Sequence, residues 1–327
     1  MGVDVTGASA AALRGGYSNA IVRVDARAGR FVVRRYGRLH VTRAAVAFEH
    51  AIAAHAAERM REVVAPLRDA EGATIALAPD GGMAAVFPYV EGETGRSDLA
   101  AGRAAARVLA RFHRAMHDVH PSTSSGQAVA GGMRSTRFLG ILPWLVQRFN
   151  RFASDPLVGR ALDWSALVTA TAAATAHVVP RASSLPHVVV HGDPNPGNVV
   201  TAPRGDAATA PPEVRALIDL DFAHETERVY DVGAFLDEFA RENEDAPLEL
   251  ARVAPLLAAY ADEAPLAAAE REVIPEAMLR HAATLVWYVV TRHGERIPGD
   301  VGGAPRYAAR VAELAANAAA IRESARG

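Results

Sequence analysis

Two hydrophobic periods divide the chain. Up to about residue 90, apolar and polar positions mix in short runs: Ala20-Ile21-Val22-Arg23-Val24, Phe31-Val32-Val33-Arg34-Arg35-Tyr36, Val63-Val64-Ala65-Pro66-Leu67, Thr74–Ala78 and a run from Met83. Each reads as a β-strand, with Ala28-Gly29-Arg30 and Asp80-Gly81-Gly82 as hairpin turns between them. Residues 1–13 are small and mixed and predict only an entry segment. One helix interrupts the strands, from Ala44 to Arg61. From Asp98 onward the helical spacing takes over. It predicts helices over Asp98–His117, Phe138–Phe152, Trp164–His177, Asp231–Phe239, Leu250–Tyr260, Glu270–Arg292 and Arg306–Ala325. The helix holding Leu285–Val290 is apolar nearly all round and should be buried. Residues 118–136, rich in Ser, Gly and Pro, predict a flexible surface loop.

The helical half is broken once, by two short apolar runs, Val188–Val190 and Ala216–Ile218, which read as buried strands. Thr201–Pro212 between them reads as a long hairpin loop. Each run ends in groups that carry chemistry. The first leads into His191-Gly192-Asp193-Pro194-Asn195-Pro196-Gly197-Asn198, the second into Asp219-Leu220-Asp221. Asp, Asn, Pro and Gly between strands are also ordinary turn residues. The five-residue step from Asp193 to Asn198, with an aspartate just beyond the next strand, is more specific. It is the spacing of the protein-kinase catalytic loop, where an Asp accepts the hydroxyl proton and an Asn and a later Asp bind Mg²⁺. The expectation is therefore Asp193 as base, with Asn198 and Asp219 as magnesium ligands and Asp221 either a third ligand or a supporting residue.

Composition narrows the class. The chain has 327 residues, half of them hydrophobic, and a formal net charge of −2. That length allows two lobes with a sizeable core, and the charge argues against a nucleic-acid partner. No cysteine is present, which excludes disulfides, thiolate metal sites and a cysteine nucleophile. No basic segment followed by an apolar stretch opens the sequence, and no run of about 18 apolar residues exists to span a bilayer. A cytoplasmic protein without membrane partners is expected. Every one of the 35 basic residues other than histidine is arginine, so no site here can depend on a lysine.

The run HGDPNPGNVV, then LIDLDFA and Tyr230-Asp231-Val232-Gly233, resembles the aminoglycoside phosphotransferase / choline kinase / type II homoserine kinase superfamily. The likeness is strongest over residues 188–236. It implies an α+β, protein-kinase-like two-lobed fold: a small antiparallel-sheet N-lobe, residues 1–90, and a mostly helical C-lobe, residues 91–327. It also implies transfer of a phosphoryl group from ATP, with Mg²⁺, to the hydroxyl of a small metabolite or antibiotic. By the same likeness Gly15, Gly16, Ser18 and Asn19 belong to a nucleotide-covering loop. Pro88, Tyr89 and Val90 belong to the hinge that meets the adenine, and Glu49 to the helix glutamate that orients the phosphate-binding cation. That cation is a lysine in relatives. Here it is Arg34 or Arg35, and strand alternation favours Arg34, on the face of Val32 and Tyr36. His191 stands with Asp193 in the catalytic loop, as an anchor more than as a base. Asp231 is expected to cap its helix and to be structural. The acidic run Asp237, Glu238, Glu242, Glu244, Asp245 and Glu249 reads as a solvated face or as the mouth of the acceptor pocket.

Two other readings compete. A nucleotide-binding pseudokinase or regulatory module would account for the missing lysine. A metal hydrolase would need His187, His191, Asp193 and Asp219 to converge on one ion.

Overall fold

Strands β1 (Ser9–Ala12), β2 (Ala20–Ala26), β3 (Gly29–Arg35), β4 (Ala76–Leu77) and β5 (Met83–Pro88) form one antiparallel sheet in the order β1-β2-β3-β5-β4. The structure is a computed structural model and describes residues 6–13, 19–37, 42–78, 80–119, 138–203 and 212–327. The predicted loop glycines Gly15 and Gly16, with Ser18, lie outside these residues, as does nearly all of the Ser/Gly/Pro-rich stretch. The β2–β3 hairpin turns on two residues, since Ala26 pairs with Gly29.

Two strand expectations change. Ser9–Ala12, too small and weakly β-forming to read as a strand, becomes one because β2 offers it a free edge. Val63–Leu67 is not a strand. Val63 packs into the main core, and only the Leu67 amide reaches the sheet, donating to the Val86 carbonyl at 2.7 Å.

Helix α1 (Arg43–Ala57) follows the sheet's third strand and starts at Thr42, whose hydroxyl accepts from the Ala45 amide. Its Val46 meets Tyr36 and Ala85 in a small cluster under the sheet. Its other buried residues, Ile52, Ala53 and Ala56, join the large core. Helix α2 (Leu99–Ala115) is capped by Asp98, which accepts from the Ala101 amide at 2.9 Å. Ala105, Ala106, Leu109, Ala110 and Phe112 form its buried face, while Arg107, Arg111 and Arg114 pair outward with Asp262 and Glu263. Further helices are α3 (Phe138–Ser154), α4 (Trp164–Val178), α5 (Val229–Phe239), α6 (Leu250–Ala261), α7 (Ala268–Glu272), α8 (Ile274–Gly294) and α9 (Ala304–Arg326). The expected single helix Glu270–Arg292 is broken at Val273 into α7 and α8, with Pro275 starting the second. Helix α8 is buried along most of its length, as its composition requires. Helix α5 crosses it closely: a Cβ added at Gly233 would lie 2.4 Å from the Ala277 Cβ. No helix among the described residues is long and apolar enough to cross a membrane.

The two central strands do not pair with each other. Strand β6 (His187–Val190) pairs with β9 (His224–Glu227), and β7 (Val199–Thr201) with β8 (Val214–Leu217). The sequence reading assigns no element to Val199–Val200 or to His224–Glu227, runs too short or too polar to show a period. Two small ribbons, not one hairpin, therefore present the segment 191–198 and Asp219. The whole is the α+β two-lobed architecture that the sequence predicts.

Candidate active site

The segment 191–198 leaves β6, turns and enters β7, and its geometry is fixed from below. Gly192 has φ +88°, and a Cβ there would lie 2.2 Å from the Phe222 carbonyl oxygen, so only glycine fits. The His191 and Gly192 amides donate to the two carboxylate oxygens of Asp231, at 2.7 and 2.9 Å. His113 Nε2 meets the same carboxylate at 3.0 Å, and its Nδ1 meets the Tyr260 hydroxyl at 2.7 Å. The Tyr230 hydroxyl donates to the Gly192 carbonyl at 3.2 Å. Burial alone would lift the Asp231 carboxyl, but His113 and these amides hold it below the usual aspartate range. Asp231 sits inside the first turn of α5 and does not cap it; its carboxylate is spent on the loop. His113, for which no carboxylate partner is visible in the sequence, finds one in Asp231, 118 positions away.

Both nitrogens of His191 are used. Nε2 lies 2.9 Å from the Ile218 carbonyl and must donate to it, and Nδ1 accepts from the Asp193 amide at 3.3 Å. A ring so bound has no lone pair for a substrate proton. His191 is an anchor between the loop and the end of β8.

Asp193 points its carboxylate across the loop. The Asn198 side-chain amide donates to the Asp193 carbonyl at 2.9 Å and to its Oδ2 at 3.1 Å. The Ile218 amide donates to the Asn198 carbonyl at 2.9 Å, which sets Asn198 beside the chain leading into Asp219. Burial pushes the Asp193 carboxyl above the usual range, against a hydrogen bond from Asn195 and the charge of His281.

Asp219 has φ +68° and ψ +67°, the one non-glycine residue with positive φ among the described residues. Such a conformation costs about 1–2 kcal/mol and is tolerated best by Asn and Asp. It aims the carboxylate at Arg34. The Arg34 Nη2 lies 2.7 Å from Asp219 Oδ1 and 2.8 Å from Asp221 Oδ2, while Nη1 lies 2.9 Å from Glu49 Oε1. Asn19 adds a bond to Asp221 Oδ2 at 3.2 Å. Arg35 points the other way and pairs with the exposed Asp80. Burial works against the charge on Arg34, but the three carboxylates overcome it. The anions divide unevenly. Burial would raise Asp219, yet Arg34 holds it low; Asp221 goes well above the usual range through burial and the adjacent Asp219; Glu49 is pushed up to about 7, chiefly by burial. Two atoms here are buried without a hydrogen-bond partner, Asp221 Oδ1 and Arg34 Nε.

Pro88 closes the sheet opposite Phe31. The Tyr89 amide bonds to the Arg30 carbonyl at 3.0 Å, and the Tyr89 ring lies under the Arg23 and Arg30 guanidinium groups, at 5.6 and 5.4 Å. Val90 is half-buried, and Glu93 bridges to Thr201 on β7, so the link between lobes touches the catalytic ribbon.

One cluster near the loop is not legible in the sequence. Asp237 and Glu238 are not a solvated face: Asp237 is fully buried, and Arg241 and Arg310 pair with it. Glu238 accepts from Arg310 at 2.8 Å and meets His281 Nε2 at 3.3 Å, and is driven down to about 2; burial opposes that shift, and the His281 and Arg310 contacts overcome it. Among the described residues, Asp237, Glu238 and His281 alone gather three such ligand atoms within 4.8 Å. His187, His191, Asp193 and Asp219 do not converge. His187 is at the far end of β6, beside Glu227 at 3.6 Å, which removes the metal-hydrolase reading.

The fold has counterparts among solved structures. No curated protein matches the chain. The microcompartment-associated aminopropanol kinase superposes with a TM-score of 0.73 at 18% identity, over 95% of this chain and 92% of that one. An ethanolamine kinase of Plasmodium vivax gives 0.65 at 12% identity, over 93% and 82%. An amicoumacin kinase in complex with AMP-PNP, Ca²⁺ and its acceptor gives 0.64 at 13%, over 96% and 88%. The profile of the phosphotransferase enzyme family matches residues 9–268. The chain belongs to that family of phosphotransferases.

Proposed function

We propose that the chain uses Mg·ATP and transfers its γ-phosphoryl group to the hydroxyl of a small acceptor lying against Asp193. The observation that carries this is the convergence itself: Asp193 bonded to Asn198 on one ribbon, and Asp219 and Asp221 bonded to Arg34 from the sheet. In this reading residues 1–90 form the nucleotide lobe, with the adenine at Pro88, Tyr89 and Val90 and Asn19 beside the phosphates. Residues 91–327 carry the catalytic loop and the acceptor pocket.

The donor set fits magnesium. Asn198 and Asp219 offer the oxygens a hard cation takes, and the orphaned Asp221 Oδ1 is a buried oxygen that a third ligand bond would satisfy. Bound there, the ion would neutralise charge on the phosphates. The chain's residues do the rest. Arg34 offers a planar fork that can hold two phosphate oxygens where a lysine would hold one, and Glu49 fixes its orientation. Asp193 accepts a hydrogen bond from the acceptor hydroxyl and takes its proton as transfer proceeds; a carboxyl raised by burial is the better base for that. His191, Asp231 and His113 hold Asp193 in place.

Two of the similar structures are kinases of amino alcohols by name, and the mostly buried Glu238 contacts His281, whose charge also acts on Asp193. Aminopropanol and ethanolamine therefore head the acceptor screen, ahead of choline, homoserine and aminoglycosides. The test is acceptor-dependent ADP release with Mg·ATP. Release that needs an acceptor and Asp193 supports the reading. Thermal stabilisation by Mg·ATP with no turnover on any acceptor would instead make the chain a nucleotide-binding pseudokinase.

A further inference from the structure

Arg34 does more than wait for phosphate. Its Nη2 sits within 2.8 Å of a carboxylate oxygen on Asp219 and another on Asp221. A cation between those two residues is thus already supplied by the protein, from a side chain only 8% exposed. A lysine ammonium is one point charge on a flexible stem, whereas a guanidinium can bridge several oxygens at once. Here Arg34 bridges three: Glu49 on one nitrogen, Asp219 and Asp221 on the other.

We infer that Arg34 is an internal competitor for the metal site and that it couples metal binding to nucleotide binding. This rests on the metal assignment proposed above. A divalent ion approaching Asp219 and Asp221 alone must expel a guanidinium and leave it buried with only Glu49. A nucleotide changes that balance. Its phosphates give Arg34 new anionic partners, including one for the orphaned Nε, and the two aspartates are released to the ion. Metal and nucleotide then favour each other's binding, and linkage requires the coupling to be equal in both directions. The free metal is held weakly and the metal–nucleotide pair tightly.

The experiment is Mn²⁺ binding followed by electron paramagnetic resonance of the free ion, with and without ADP, on the full chain. No catalysis enters the readout. Wild type should bind Mn²⁺ at least tenfold more tightly with saturating ADP than without. R34Q, which keeps a polar side chain and loses the charge, should bind Mn²⁺ without ADP at least tenfold more tightly than wild type, and ADP should then add less than threefold. R34K gives a smaller gain in nucleotide-free affinity, since one ammonium spans the carboxylates less well; it serves as the test if R34Q does not fold. If nucleotide-free affinity is the same in wild type and the variant, or weaker in the variant, the inference is overturned. If Mn²⁺ binding with ADP survives D219N unchanged, the metal assignment itself is wrong and the inference falls with it, a different result from the first.

Discussion

The candidate site contains two buried clusters of opposite character, with the loop 191–198 bonded to the lower one. Beneath it, Asp231 is saturated: two loop amides and His113 share its carboxylate, and Tyr260 completes the line. Above it, Arg34 and its three carboxylates leave Arg34 Nε and Asp221 Oδ1 unbonded. Both clusters desolvate charge, and burying a charge is tolerated only when it is paired and hydrogen-bonded. The lower one meets that demand within the protein. The upper one meets it in part, and its missing partners are the kind that a phosphate oxygen and a cation would supply. One cluster is complete within the protein; the other is left open at two atoms.

That contrast can be broken by substitution. The largest effect belongs to the lower cluster. Asp231→Ala strands two buried amides and His113, and should cost about 3–5 kcal/mol of stability, read as a lower urea midpoint, with activity lost alongside. Asp193→Asn lies between the clusters and should leave the urea midpoint unchanged. Its kcat should fall about 10²–10⁴-fold while ADP affinity, by calorimetry, moves less than about threefold; near-normal turnover would remove Asp193 from its role. His50, behind the upper cluster, tests whether that side tolerates further charge. It lies between the Tyr36 hydroxyl at 2.9 Å and Thr74 Oγ1 at 2.7 Å, and burial with the charge of Arg34 lowers it to about 4. Its folded value is below the unfolded 6.5, so the unfolded chain binds the extra proton and stability falls as pH drops from about 6.5 to 4. The loss should reach about 1–3 kcal/mol, and His50→Gln should flatten that part of a Tm–pH curve. Smallest of all, Asp219→Asn keeps a residue type that tolerates the positive φ and leaves Arg34 paired with Asp221 and Glu49, so it should cost only about 0.5–1.5 kcal/mol by urea midpoint while abolishing turnover. A much larger loss of stability would mean that Asp219 is structural.

How much of this the sequence discloses depends on distance along the chain. The Asp193–Asn198 step is local, and so is the alternation that turns Arg34 inward and Arg35 outward; both are legible. The helices of the C-lobe are legible too, because capping residues and apolar spacing act within a few turns. Strand pairing is not. Nothing in Val188–Val190 names its partner: Ala216–Ile218 is the apolar candidate, yet the strand that pairs is the polar His224–Glu227; long-range packing decides. Asp231 reads as a cap because capping is a local role, and its real partners are 39 and 40 positions back at Gly192 and His191. The acidic run after it reads as a solvated face, which holds for the exposed Glu242, Glu244, Asp245 and Glu249 and fails for its first two members, Asp237 and Glu238. Their neutralising partners, His281, Arg310 and Arg241, come mostly from other helices. The one available hint is that Asp237 and Glu238 fall on a helix whose other residues are almost all apolar.

Helix α1 belongs to two packings at once. Val46 lies with the sheet, while Ile52, Ala53 and Ala56 are rooted in the helical core, and His55 bonds to the Ala115 carbonyl at the end of α2. A helix moored that way cannot serve as a lever. Moving the sheet against that helix would have to shear the Val46 contacts and the Arg34–Glu49 pair, two places where the sheet and α1 grip each other.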